Sequence, residues 1–229
     1  MTTQHWERLG AASGIVAAIL FGVSFVIFLV NDPADVPDVL HAGDYAEFVR
    51  EHQEALKVQV LLNSLGIVLF LWFLGSLWSR LRAAEGGPAR VSAIASAGGI
   101  AGAVAVLMGF VFEASATIAP TTIDVTTLYV MATMSIGLGA AAFTVFFLAV
   151  ARVILDTRVL PLVIGGLAIV AGVASALGFV SIFADEGVFN AATGAFGFWV
   201  RFGAFVVWLA LASVALIVTV GRRTTTRRR

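Results

Sequence analysis

The sequence predicts an all-α, polytopic membrane protein: a bundle of six transmembrane helices with an amphipathic helix outside the membrane. The first observation is composition, because 60% of the 229 residues are hydrophobic and only 12% are charged. Soluble domains are typically about 45–50% apolar and about 25% charged. The second is the presence of six apolar stretches that reach the length of about 20 residues a helix needs to cross the hydrocarbon core. We therefore expect a single membrane domain over residues 1–229.

The six predicted spans leave few residues outside the membrane. The first span follows a weakly basic start and has no small-residue cleavage site before Asn31, so we expect a retained signal anchor. Residues 31–57 then form an extracytoplasmic loop and helix, and residues 221–229 form a basic cytoplasmic tail. The spans are residues 10–30, 58–78, 92–116, 128–150, 160–183 and 196–220.

Charge predicts the orientation, because alternate loops differ sharply in sign. One set of loops holds 11 of the 14 basic residues, and the other holds 11 of the 14 acidic residues. By the positive-inside rule both termini are cytoplasmic, in a bacterial plasma membrane. The basic tail could also bind anionic lipid or nucleic acid, but every cytoplasmic loop has the same bias, so we interpret it as a topology anchor. With a net charge of zero, we expect no nucleic-acid partner.

The spans form three related hairpins in the sequence. The outward-running spans carry small residues followed by a glycine (Gly22, Gly109 or Gly178), and the inward-running spans carry bulky residues after a glycine. This pattern indicates a triplicated hairpin, although biased composition can also make membrane helices look alike. Small residues four apart, such as Gly10 and Gly14, predict close helix packing, and they leave open a dimer through the first span.

The loop before the second span predicts an amphipathic helix starting at Asp44, which offers an N-cap after two prolines. At the helical period an apolar stripe opposes an acidic stripe. The helix could lie on the outer membrane surface, cap the mouth of the bundle, or continue into the second span. The apolar stripe holds Tyr45, Phe48, Val49, His52 and Leu56, and the acidic stripe holds Asp44, Glu47, Glu51 and Glu54.

The acidic stripe, with His41 and His52 nearby, could suggest a calcium or zinc site. No EF-hand or His-Glu-x-x-His spacing is present, so we interpret the carboxylates as a solvated face and predict no metal site. We interpret His52 as an amphipathic interface residue and keep it as a candidate ligand contact.

Polar side chains near the outer ends of the spans are the remaining candidates, because burying a charge or an amide in hydrocarbon is costly. Counting from the cytoplasmic anchors places Glu113 and Arg201 at similar depth at the outer end of the bundle, where we expect them to lie within reach of a salt bridge or a water bridge. Gln59 lies at the boundary and Asn63 about one turn inside it. These four residues predict a shallow, outward-facing polar pocket, although Glu113 and Arg201 could also be ordinary interfacial residues.

What the sequence lacks excludes several chemistries. It contains no cysteine, which removes thiolate sites, and no histidine or lysine lies in a predicted span, which removes bis-histidine haem ligation and a retinal Schiff base. Neither a phosphate-binding loop nor an intramembrane nucleophile–base pair is apparent. We therefore expect a protein without a cofactor that is not an enzyme.

Residues 71–82 (LWFLGSLWSRLR), followed by Glu85 and Gly86 and a span rich in glycine and alanine, resemble multi-pass membrane proteins of unknown function that are common in actinobacteria. The resemblance covers mainly the first three spans, and it implies a six-span envelope protein without supplying catalytic residues.

Two functions follow as hypotheses. The first is a bundle that binds, senses or passes a lipid-like or other small amphiphilic ligand from the outer leaflet. The second is a structural or accessory subunit whose small-residue ridges dock a partner membrane protein or a second copy. An enclosed outer cavity favours the first, and a filled core with a flat groove favours the second.

Overall fold

The structure, a computed structural model, describes residues 3–30, 42–119, 121–183, 187–189 and 194–226. Within these ranges it is helical with no β-strand, which confirms the predicted all-α class. Short 3₁₀ segments cover Val180–Phe183 and Gly187–Phe189, and a π-helical turn covers Ala195–Trp199. The α-helices are α1 (Thr3–Val30), α2 (Ala42–Glu51), α3 (Gln53–Glu85), α4 (Arg90–Ala116), α5 (Thr122–Thr157), α6 (Leu162–Phe179) and α7 (Val200–Thr226).

Six helices in the described part of the chain are long and apolar enough to cross a membrane, and α2 is the remaining short one. The predicted membrane bundle is therefore confirmed at this level. Two predicted spans differ in detail. The fifth is α-helical only to Phe179 and continues as a 3₁₀ segment. The sixth begins as a π-helical turn and stays helical to Thr226, so the start of the predicted tail at residue 221 is an extension of α7.

The six long helices form a closed ring. Each packs against the next in the chain, and α7 returns to pack against α1. The connections at residues 86–89, 117–121 and 158–161 are short, so the helices they join run antiparallel. We call the end that holds α2, the end of α4 and the start of α7 the acidic end, and the opposite one, with loops 86–89 and 158–161, the basic end.

The centre of the ring is filled by aromatic side chains from α3, α5 and α7. Phe70, Phe143 and Phe205 form one layer, with ring centroids 5.9, 5.4 and 5.3 Å apart in the three pairs. Closer to the basic end, Trp208 packs edge-on against Phe73, Phe146 and Phe147. Edge-to-face aromatic pairs each contribute about 0.5–1.5 kcal/mol beyond the area they bury. The three hairpins (α1 with α3, α4 with α5, and α6 with α7) thus each supply side chains to both layers.

The indole N–H of Trp208 is satisfied within this core. Trp208 is fully buried, and its Nε1 donates a hydrogen bond to the carbonyl of Ile164 at 3.2 Å. This bond links α7 to α6, and it removes the cost of leaving a polar group unpaired in an apolar interior.

The small residues of α1, α4 and α6 allow these helices to approach the aromatic ones. A Cβ atom at Gly98 would lie 2.8 Å from the backbone nitrogen of Phe146, and one at Gly102 would lie 2.8 Å from the ring of Phe143. On α1, Gly10 faces Ser76 and Gly14 faces Ser213. Gly10 and Gly14 are thus covered within the chain, whereas nothing lies within 4 Å of the Cβ position of Gly22, and a dimer through the first span stays an untested possibility.

At the basic end, Glu85 holds the start of α4 in place. Its carboxylate accepts hydrogen bonds from the backbone nitrogens of Val91 and Ser92, at 2.9 and 2.8 Å, and from the Ser92 hydroxyl at 2.6 Å. The first N–H groups of a helix lack intrahelical partners, so this carboxylate replaces a conventional cap. The cap residue itself, Ala89, adopts a left-handed conformation with φ 45° and makes no side-chain bond.

The contact at Gly98 predicts a large effect of one added methyl group. Gly98→Ala should lower the free energy of unfolding by about 1–3 kcal/mol, because the backbone of α5 must move. Gly22→Ala is the matched control, since nothing lies within 4 Å of its Cβ position. That change should be neutral or stabilising by up to about 1 kcal/mol. Thermal unfolding in detergent measures both, and equal effects would contradict the close approach of α4 to α5.

Candidate ligand-binding cavity

A cavity of about 240 Å³ lies inside the acidic end of the bundle. Phe143 and Phe205, from the central aromatic layer, form its floor, and most of its wall is aromatic or aliphatic. An apolar cavity of about 150 Å³ is enough to bind benzene, so this one can hold a larger apolar group. Its remaining apolar lining consists of Phe21, Phe25, Phe28, Phe48, Val49, Leu56, Ile67, Val106, Phe110, Ile136, Ala140, Phe198 and Phe202.

Helix α2 covers part of this cavity. Phe48 and Val49 line it, and they pack with Ala46 against Val125 and Tyr129 of α5. Two of the three placements expected for this amphipathic helix are observed, and the first is that α2 caps part of the mouth of the bundle. It also leads almost directly into α3, because His52 alone separates the two helices.

The apolar and acidic stripes of α2 face as predicted where their side chains are described. Phe48 and Val49 are buried, whereas Glu47, Glu51 and Glu54 are exposed. The predicted start was wrong, since α2 begins at Ala42 and Asp44 lies inside it. The side chains of Asp44 and Tyr45 and the whole of His41 lie outside the described residues.

His52 does not line the cavity. Its Nδ1 lies 3.1 Å from the carbonyl oxygen of Phe48, and its imidazole stacks on the Phe48 ring with centroids 4.6 Å apart. Both contacts are within one turn of the same chain segment, so His52 supports the junction between α2 and α3. The structure thus separates it from the other four candidate residues.

Gln59 and Asn63 bring amide groups from α3 to the cavity. The Gln59 Nε2 donates a long hydrogen bond of 3.4 Å to the carbonyl of Ser24 on α1. One turn further into the bundle, the Asn63 Oδ1 is buried and has no hydrogen-bond partner among the described residues. A buried acceptor left unpaired lowers the free energy of unfolding by about 1–3 kcal/mol. A ligand that donates a hydrogen bond to Asn63 Oδ1 would remove this cost.

Arg201 reaches the cavity from the start of α7, directly after the π-helical turn. Its side chain lies across Gly178 of α6, where a Cβ atom would be 2.6 Å from the Arg201 Cδ. Gly178 therefore provides the space in which the side chain lies. The Nη1 atom is buried, and no group in the described part of the chain accepts a hydrogen bond from it.

Glu113 lines the same cavity from the last turn of α4. The expected direct ion pair with Arg201 is not formed, since the ion pairs between described residues join Lys57 to Glu54 and Arg152 to Asp156. The alternative, a water bridge between the two groups, stays a prediction. Similar depth on two helices brought both groups to one chamber. It did not bring them into contact, because α4 and α7 are not adjacent in the ring.

Four hydroxyl-bearing side chains complete the polar lining, from Ser24, Tyr129, Thr133 and Ser175. Sequence reasoning missed them, because such residues are common in transmembrane helices and no spacing distinguishes these four. The aromatic wall from Phe25, Phe198 and Phe202 was also missed. A cluster of phenylalanines at a span end gives no indication of whether it faces lipid or a cavity.

No protein-family model, curated protein or solved structure matches this chain. The functional argument therefore depends on the geometry of the cavity.

The unpaired Asn63 amide predicts that this site reduces stability in the empty protein. Asn63→Leu should leave the free energy of unfolding unchanged or raise it, because it removes a buried unpaired acceptor. The control is Ser135→Ala, which deletes the 2.7 Å hydrogen bond from Ser135 to the carbonyl of Ala105 on the neighbouring helix. It should cost about 0.6 kcal/mol. Unfolding in detergent compares the two, and an equal or larger loss in Asn63→Leu would show that Asn63 already has a partner.

Proposed function

We propose that this chain is a multi-pass protein of the bacterial plasma membrane, of the actinobacterial kind that its sequence resembles, and that it binds an amphiphilic small molecule. The ligand enters from the outer leaflet and occupies the cavity beneath α2. The observation that carries this proposal is one cavity that combines an apolar wall with an unpartnered guanidinium nitrogen and an unpartnered amide oxygen.

Energetics support binding as the role of these groups. An unpaired charge buried in an apolar interior costs several kcal/mol, so polar residues at this depth are rare unless they have a function. Ligand sites are typically apolar cavities with a few convergent polar groups, and this cavity has that composition. Two ionisable groups of opposite type that line one apolar chamber from different helices can orient a ligand that pairs with both. We therefore propose binding, sensing or passage of the ligand and not catalysis.

The alternative role, docking of a partner protein or a second copy through small-residue ridges, has less support. Gly98, Gly102 and Gly109 face α5, and Gly172 contacts side chains of the same helix. These glycines already pack within the chain, which leaves fewer small residues free to dock a partner.

The proposed orientation puts the acidic end outside. Glu51→Cys, on the exposed face of α2, should react with an impermeant maleimide on intact cells, whereas Pro88→Cys, in an exposed basic-end loop, should react only after permeabilisation. The natural chain has no cysteine, so each variant carries a single thiol. Labelling of Pro88→Cys but not Glu51→Cys on intact cells would reverse the assignment.

Filling the cavity should abolish binding. Thr133 lines it, and its neighbour Met134 is 38% exposed on the outside of the same helix. We expect palmitoyl-lysophosphatidylethanolamine to bind saturably to the wild type and to Met134→Trp, and to fail to bind Thr133→Trp. Isothermal titration calorimetry in detergent measures this, and Thr133→Phe repeats it with a smaller ring. Equal binding to all variants would place the ligand outside the cavity.

A further inference from the structure

We propose that the ligand carries a zwitterionic head group, whose anion binds Arg201 and whose ammonium binds Glu113, so that these two residues together select the head group. This inference rests on the proposed function, namely that the cavity holds an amphiphile. It adds the chemical class of that amphiphile.

The first step is the relation between the two charges. Glu113 and Arg201 line one cavity from helices that are not neighbours in the ring, and no ion pair joins them. Opposite charges that share a chamber of low dielectric constant attract strongly, yet neither of these groups has the other as a direct partner. A molecule that carries one charge of each sign pairs with both groups and keeps the occupied cavity neutral.

The anionic half of the ligand fits Arg201. Its guanidinium lies over Gly178 with Nη1 buried and unpartnered among the described groups. A guanidinium presents a planar fork of donors that matches a phosphate or a carboxylate. Because the side chain already lies across Gly178, little rotamer freedom is lost when the anion binds.

The cationic half fits Glu113 and Asn63. An ionised carboxylate and an amide oxygen only accept hydrogen bonds, whereas a primary ammonium has three donors and no acceptor. The Glu113 carboxyl group and the buried, unpartnered Asn63 Oδ1 both line the cavity, so we assign them as the acceptors for the ammonium. A quaternary ammonium has no N–H to donate.

A head group with only a negative charge is disfavoured. It would pair with Arg201 but add a second negative charge to the chamber that holds Glu113. Such an uncompensated charge discriminates against a competing ligand as effectively as an attractive contact favours the correct one. Glu113 thus excludes anionic lipids that Arg201 alone would accept.

Calorimetry on the detergent-solubilised full chain tests this with palmitoyl lysophospholipids that differ only in the head group. Wild type should bind the ethanolamine form at least about tenfold more tightly than the glycerol form, which lacks the ammonium, or the choline form. Glu113→Gln should remove the preference for ethanolamine over glycerol, and Glu113→Asp, which keeps the charge, should retain it. Arg201→Gln should weaken binding of all three.

The possible failures are distinct. Equal affinity of wild type for the ethanolamine and glycerol forms would overturn the zwitterion while leaving the amphiphile site intact, and so would a preference that survives Glu113→Gln. No saturable binding of any lysophospholipid would overturn the proposed function itself. Free phosphoethanolamine, which has the head group but no acyl chain, measures the affinity of the head group alone. It should bind far more weakly than the lysolipid, and equal affinity would show that the apolar wall binds nothing.

Discussion

The contact of Phe70, Phe143 and Phe205 at the centre of the ring is the interaction on which the rest of the structure depends. Each ring comes from a different hairpin, and together with the Trp208 layer they fill the space between α3, α5 and α7. Helices in lipid gain little from hydrophobic burial, so they associate through packing and close approach. The glycines of α4 permit that approach, and the aromatic layers then close the bundle below the acidic end.

The cavity lies where the aromatic layers end, on the side of the acidic end of the bundle. Phe143 and Phe205 form its floor, and beyond them α2 closes part of the opening by placing Phe48 and Val49 inward. The polar groups there are not arranged for stability, since Arg201 Nη1 and Asn63 Oδ1 lack partners within the described structure. A protein selected for stability alone would carry apolar side chains at these positions.

Much of the fold was predictable from the sequence, because a lipid environment allows a chain only a few kinds of membrane-spanning structure. Six spans, an amphipathic helix and small-residue packing follow from hydropathy, helical period and residue size. Four of the five candidate residues share one cavity because depth can be counted along a helix, whereas His52 lies at the α2–α3 junction.

The absence of a direct Glu113–Arg201 ion pair shows what the sequence could not predict. Counting residues along a span predicts how deep a side chain lies in the membrane. Which side chains meet at that depth depends on the order of the helices around the ring, and that order is set by contacts between segments far apart in the sequence.

Native mass spectrometry of the protein extracted gently from its own membrane tests the central claim most directly. If the cavity is a ligand site, the spectrum should show one amphiphile per chain retained under activation that removes detergent and bulk lipid. Fragmentation of the retained species should release a molecule with an apolar chain and a charged head group. A bare protein, or a graded series of weakly held lipids with no preferred stoichiometry, would contradict the account.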